Sequence, residues 1–165
     1  MDGGELDIST DSSEETEVLG EIIGSHLVCG DVVALIGDLG TGKTCLTRGI
    51  ARGLRIDGST TVVSPTFTII NEHQGPIPLY HFDLYRVDSP SQMDDLGYEE
   101  YFFGDGVSVI EWAEKAREVL PENYLEVSLF FADREDARRI GIAGRGERIA
   151  AKMALIKAAV RNRCN

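Results

Sequence analysis

Gly37-Asp38-Leu39-Gly40-Thr41-Gly42-Lys43-Thr44 fits the pattern Gly-x-x-x-x-Gly-Lys-Ser/Thr, and each residue type in it answers a need of a polyphosphate. Glycines let backbone N–H groups turn inward without a side-chain clash, and a helix opening at Lys43 adds partial positive charge. The Lys43 amine reaches β- and γ-phosphates, and the Thr44 hydroxyl can ligate Mg²⁺. The backbone from Asp38 through Leu39, Gly40, Thr41 and Gly42 to Cys45 is therefore the expected phosphate cradle. The chemistry is binding of a nucleoside triphosphate, with Mg²⁺ at Thr44.

Hydrolysis needs more than a loop: an acid at the metal and a group that places the attacking water. Val107-Ser108-Val109-Ile110 is an apolar run that ends in Glu111, so Glu111 can hold Mg²⁺ or polarise water. Ser64-Pro65-Thr66-Phe67-Thr68 lies where a switch segment would follow the loop helix, and the Thr66 hydroxyl can reach the metal or γ-phosphate. A plain β-turn is the competing reading there. His81-Phe82-Asp83-Leu84-Tyr85-Arg86 alternates polar and apolar residues, which puts Asp83 on one face with His81 and Tyr85. A half-buried acid among aromatics is costly unless it meets a cation or a metal-bound water; an ion pair with Arg86 or Lys43 is the simpler alternative. Catalytic candidates are thus Lys43, Thr66, Asp83 and Glu111, with Thr44 and Glu111 at the metal. Trp112, the single tryptophan, is left between core ring and partner-facing ring.

These residues need elements to hold them. Asp31–Ile36 reads as a buried parallel strand, and Cys45, Leu46, Ile50, Ala51 and Leu54 recur at helical spacing after the loop. Ser12 with Glu15 offers a capping box for a helix carrying Val18, Leu19, Ile22, Ile23 and Leu27. Strands are expected over 61–63, 66–71, 79–85, 107–110, 124–131 and 139–142, with a short helix from Ser89-Pro90 and another over 113–120. Ile149, Met153, Ile156 and Val160 predict an amphipathic C-terminal helix over about 147–161. Residues 1–12, acidic and rich in Gly, Ser and Thr, are expected to be disordered, with residues 13–165 forming one domain. The fold class predicted is α/β: a P-loop NTPase domain with a mostly parallel central sheet flanked by helices, plus antiparallel strands.

Composition narrows the setting. The 165 residues carry a net charge of −12, with 28 Asp and Glu against 16 Lys and Arg. The bases gather at the end, where residues 134–163 hold nine of them. An acidic body argues against autonomous binding to nucleic acid. The basic end suits either a solvated helix face or a contact with RNA or an acidic partner. No apolar run approaches the roughly 18 residues of a membrane span, and the acidic start does not read as a secretory signal. Three scattered cysteines suggest reduced thiols, so a cytoplasmic location is expected.

Taken together, the phosphate loop, Ser64-Pro65-Thr66-Phe67-Thr68, His81-Phe82-Asp83-Leu84-Tyr85-Arg86 and Ile110-Glu111-Trp112, in this order and spacing, resemble the TsaE (YjeE) family, bacterial ATPases of tRNA threonylcarbamoyladenosine biosynthesis. The resemblance runs from about Glu14 to about Leu125. It implies Mg²⁺-dependent ATP hydrolysis in support of the TsaB–TsaD complex, which attaches threonylcarbamoyl to adenosine 37 of tRNA. tRNA would then be met only through that complex, and the ATPase would not transfer the group itself. By position the resemblance assigns phosphate and metal roles to Lys43 and Thr44 and the metal-site acid to Glu111. Thr66 and Asp83 fall on a switch-like site, and Thr16 falls near the adenine contact. Thr41 stands where the family usually has Ala, and Ala113 where Pro often follows Glu-Trp.

Two other functions share the loop. A small-molecule kinase would need an acceptor pocket and an arginine-bearing lid, for which Arg138, Arg139, Arg145 and Arg148 are the candidates. A nucleotide-gated binding module would use ATP occupancy alone. A GTP switch lacks its guanine-reading Asn-Lys-x-Asp motif here.

Overall fold

The computed structural model describes residues 4–58, 62–63, 69–89 and 91–163. Its framework is a seven-stranded sheet in the order β1-β7-β6-β2-β5-β4-β3. The strands are β1 Glu5–Thr10, β2 Val32–Ile36, β3 Ile70–His73, β4 Leu79–Asp83, β5 Val107–Glu111, β6 Tyr124–Phe131 and β7 Arg138–Arg145. The four central strands, β6, β2, β5 and β4, run parallel, while β1, β7 and β3 add antiparallel edges. β2 is short and continuously apolar, and β2 and β5 are buried on both faces, as parallel strands between helical layers must be.

Helices α1 Ser13–Ser25, α2 Lys43–Gly53 and α5 Glu147–Arg163 cover one face. Leu19, Ile23, Leu46, Ile50, Met153 and Ile156 pack there against Val33, Leu35, Val109, Val127 and Ile142. Short helices α3 Ser91–Leu96 and α4 Tyr98–Phe102, with a 3-10 helix Ala113–Val119, cover the other, burying Met93 and Phe102 against Val32, Ala34, Phe82 and Ile110. α1 starts as its sequence directs. The Ser12 hydroxyl accepts the Glu15 N–H at 3.2 Å, and the Glu15 carboxylate reaches back to the Asp11 N–H at 2.6 Å. α1 and α2 meet through glycines: a side chain on Gly20 would collide with the backbone of Leu46, and one on Gly49 with the carbonyl of Glu17.

Several expectations need correction. Residues 5–10 are ordered as β1, hydrogen-bonded to β7. Their acids hide a period of two, with Glu5, Asp7 and Ser9 exposed and Leu6 and Ile8 packed on the core. Val62 and Val63 belong to no strand. The helix expected from Ser89 is two short ones separated by Gly97 at φ 67°. The turn over 113–119 is 3-10, broken at Ala116 (φ −135°). β7 extends three residues beyond Ile142, pairing Arg145 with Tyr124. Ser64–Thr68, and with it Thr66, lies outside the described residues.

Candidate active site

The loop leaves the C-terminal end of β2 and turns into α2 at Gly42, whose φ of 102° belongs to the left-handed region. Gly42 offers α2 no side-chain cap, and a helix N-terminus of this kind favours an anion. Asp38, Leu39 and Gly40 form the exposed crest, Leu39 at 71% exposure. Thr41 is buried, and its hydroxyl donates to the Asp38 carbonyl at 2.8 Å, closing the turn. Thr16, in the first turn of α1, places its methyl 3.9 Å from where a Cβ on Gly42 would stand. Its hydroxyl is shared with Thr10 on β1 at 2.8 Å. Cys45 turns its thiol toward α1, donating to the Ser13 carbonyl at 3.1 Å, so only its backbone can serve a nucleotide. Burial pushes that thiol's pKa up.

Lys43 is buried beside the loop. Its ammonium donates to the carbonyls of Gly37 at 2.5 Å and Asp38 at 2.9 Å and lies 4.1 Å from the Trp112 ring centre. Burial pulls its pKa down, while the charges of Glu111, Glu114, Asp83 and Asp38 push it back up. Trp112 holds that position from a left-handed backbone (φ 61°), unusual for a side chain of its size. Tyr85 packs on it with ring centres 5.1 Å apart. The ring is thus neither core nor free surface; it walls the lysine.

Parallel pairing sets Asp83 of β4 directly beside Glu111 of β5, and Glu111 beside Leu35 of β2. Their side chains share the α2 face with Val33, Leu35 and Val109. The Thr44 hydroxyl donates to Glu111, 3.0 Å from Oε1 and 3.2 Å from Oε2. His81 Nε2 bonds the same carboxylate at Oε2. Asp83 makes no ion pair with Arg86 or Lys43. Its Oδ1 accepts the Tyr85 N–H at 3.0 Å, and burial, then the charge of Glu111, raises its pKa against that hydrogen bond. The structure therefore brings Thr16, the loop, Lys43, Thr44, Asp83 and Glu111 to the carboxyl ends of the parallel strands, where ligands bind in open α/β sheets.

Oxygen donors of Thr44 and Glu111, with Asp83 alongside, suit a hard cation such as Mg²⁺, which takes one or two protein oxygens and completes its shell with phosphate and water. Among the described residues no group of three His, Cys, Asp or Glu forms a closed cage, which a phosphate-bridging Mg²⁺ does not need.

Two contacts were not anticipated. Arg138 of β7 crosses to the loop, donating from Nε to the Thr41 carbonyl at 2.9 Å and from Nη2 to the Gly40 carbonyl at 3.1 Å, with Phe131 packed on its guanidinium. His81 is the other. Its position two residues before Asp83 on an alternating strand was the available signal, whereas nothing local marks Arg138.

A family model described as threonylcarbamoyl adenosine biosynthesis protein TsaE matches residues 10–140. The tRNA threonylcarbamoyladenosine biosynthesis protein TsaE of Bacillus subtilis (strain 168) is 44% identical over 141 residues, 84% of this chain and 85% of its own. Its namesake from Treponema pallidum (strain Nichols) is 42% identical over 118 residues, 72% of this chain and 86% of its own. The crystal structure of Bacillus subtilis YdiB superposes with a TM-score of 0.79 at 37% identity, covering 96% of each chain. On sequence and on a shared P-loop NTPase fold, the chain belongs to the TsaE family of threonylcarbamoyl adenosine biosynthesis proteins.

Proposed function

We propose that this chain is a cytoplasmic Mg²⁺-dependent ATPase that supports threonylcarbamoyl transfer to adenosine 37 of tRNA by a TsaB–TsaD complex. One observation carries the reading: Lys43, Thr44 and Glu111 converge beside an uncapped helix N-terminus, with the Thr44 hydroxyl on the Glu111 carboxylate. Backbone N–H groups of the loop and Lys43 hold the β- and γ-phosphates, and Thr16 flanks the adenine side. Thr44 and Glu111 hold Mg²⁺, which when bound neutralises charge developing on the phosphates. Glu111 or Asp83 orients the attacking water in line with the bond to be broken. Asp83, with its raised pKa, suits transient proton capture. Thr66 belongs to the same proposal as a switch-segment hydroxyl.

The kinase alternative loses its lid. Arg138 is spent on the loop carbonyls, Arg139 lies against Phe130, Arg145 pairs with Glu126 and Arg148 with Asp31. The test is phosphate release from ATP and Mg²⁺, with and without purified TsaB–TsaD. Release that rises with the partners and falls at least 100-fold, roughly, in Lys43→Ala is expected. Wild-type turnover by Lys43→Ala would refute the site. Turnover indifferent to the partners would refute the pathway role.

A further inference from the structure

We propose that His81 is the positioning residue of Glu111, holding its carboxylate toward Thr44 for the metal. This rests on the Mg²⁺ reading above. His81 has no exposed surface and Glu111 has 2%. A carboxylate this buried needs donors, and the described residues supply two: the Thr44 hydroxyl, and His81 Nε2 at Oε2. The division of labour is geometric. The bond from His81 occupies Oε2, so Oε1 is the oxygen nearer to Thr44, at 3.0 Å against 3.2 Å. Where Glu111 is fixed also sets the position of the Thr44 hydroxyl that donates to it.

The other ring nitrogen gives the second argument. His81 Nδ1 is buried and has no hydrogen-bond partner among the described residues. An orphaned buried nitrogen costs free energy, and an apolar residue would fill the place between strands without it. Among the described residues the bond to Glu111 is the one side-chain hydrogen bond of His81, and it is what the imidazole is kept for. Its origin is also firm: His81 stands on β4, paired in parallel with β5, opposite Val109 and two residues from the Asp83–Glu111 pair. Partners of this kind typically change metal affinity by about 10- to 100-fold when removed.

The test uses the full chain and calorimetric titration of ADP at a series of Mg²⁺ concentrations. His81→Leu removes the donor, His81→Gln places an amide N–H near the Nε2 position, and His81→Asn keeps polarity but falls short. Expected is unchanged ADP affinity without Mg²⁺ in all three. The Mg²⁺ needed for half of the tightening should rise about 10-fold or more in Leu and Asn, with Gln near wild type. Should Leu fail to fold, the contrast between Gln and Asn decides. Wild-type Mg²⁺ dependence in Leu or Asn, or a Gln variant no better than Asn, would overturn the role of His81 alone. A wild-type protein whose ADP binding ignores Mg²⁺ would instead overturn the metal reading and this inference with it.

Discussion

Lys43 sits under opposed electrostatic demands: burial favours the neutral amine, the carboxylates around it favour the ammonium, and two carbonyls with an indole take the place of water. A phosphate would satisfy that charge better than carbonyls do. ATP at a hundredfold excess over Kd should therefore stabilise the fold by about 2.7 kcal/mol, raising Tm by roughly 5–10 °C, with no rise in Lys43→Ala; calorimetric melts would show it. Trp112 offers a second readout, since its ring covers the ammonium: its fluorescence should change on adding ATP and stay flat in the same mutant. Asp83 gives a pH signature. Its folded pKa lies above the unfolded one, so the stability it adds is present below about pH 4 and is lost as pH rises through the folded value. Asp83→Asn should accordingly melt higher than wild type at pH 7, with the gap closing toward pH 4. Lys43 and Thr44 were legible in sequence because their spacing encodes their chemistry. The His81–Glu111 bond was not, because it joins residues 30 apart across two strands, and Arg138 reaches the loop from 97 residues away.

At the scale of elements, the loop's position depends on how closely α2 lies on α1. That approach is set by missing side chains: a Cβ on Gly49 would meet the Glu17 carbonyl, an atom of fixed backbone. Gly49→Val should cost about 1–3 kcal/mol, read as a lower urea midpoint, although glycine within a helix ordinarily weakens it. Helical periodicity located α1 and α2, yet it carries no sign of how near two helices will come. β1 was missed for a related reason. Its polar residues resemble a flexible tail until β7 supplies the hydrogen-bonding edge that orders them. The short elements between 91 and 119 were blurred because one glycine in the left-handed region and one non-helical residue, Ala116, divide them.

Across the whole molecule, charge is less segregated than the sequence suggests. Arg134 bonds Asp11, Arg145 bonds Glu126, and Arg148 with Lys152 closes on Asp31, whose side chain is wholly buried at the entry to β2. Much of the basic end thus neutralises the acidic body. Removing both cationic partners of Asp31 leaves its buried carboxylate with only the Val28 N–H. The double variant Arg148→Ala, Lys152→Ala should lose about 3–5 kcal/mol in urea unfolding. The net charge nevertheless stays at −12, so the molecule as a whole repels polyanions. No retention of tRNA by this chain alone is expected at about 0.15 M salt in a filter-binding assay. Among the described residues no helix is long and apolar enough to cross a membrane.

The pairing of β1 with β7 joins Thr10 to Arg138 and Glu5 to Ala143, contacts that span most of the chain and close late because of the entropy of so long a loop. Thr10 in turn holds Thr16, and β7 carries the arginine that braces Gly40 and Thr41. During synthesis, then, a ribosome that has delivered every residue of the phosphate loop has not yet delivered what steadies it. The phosphate loop of a nascent chain therefore goes without its brace from Arg138 until β7 has emerged.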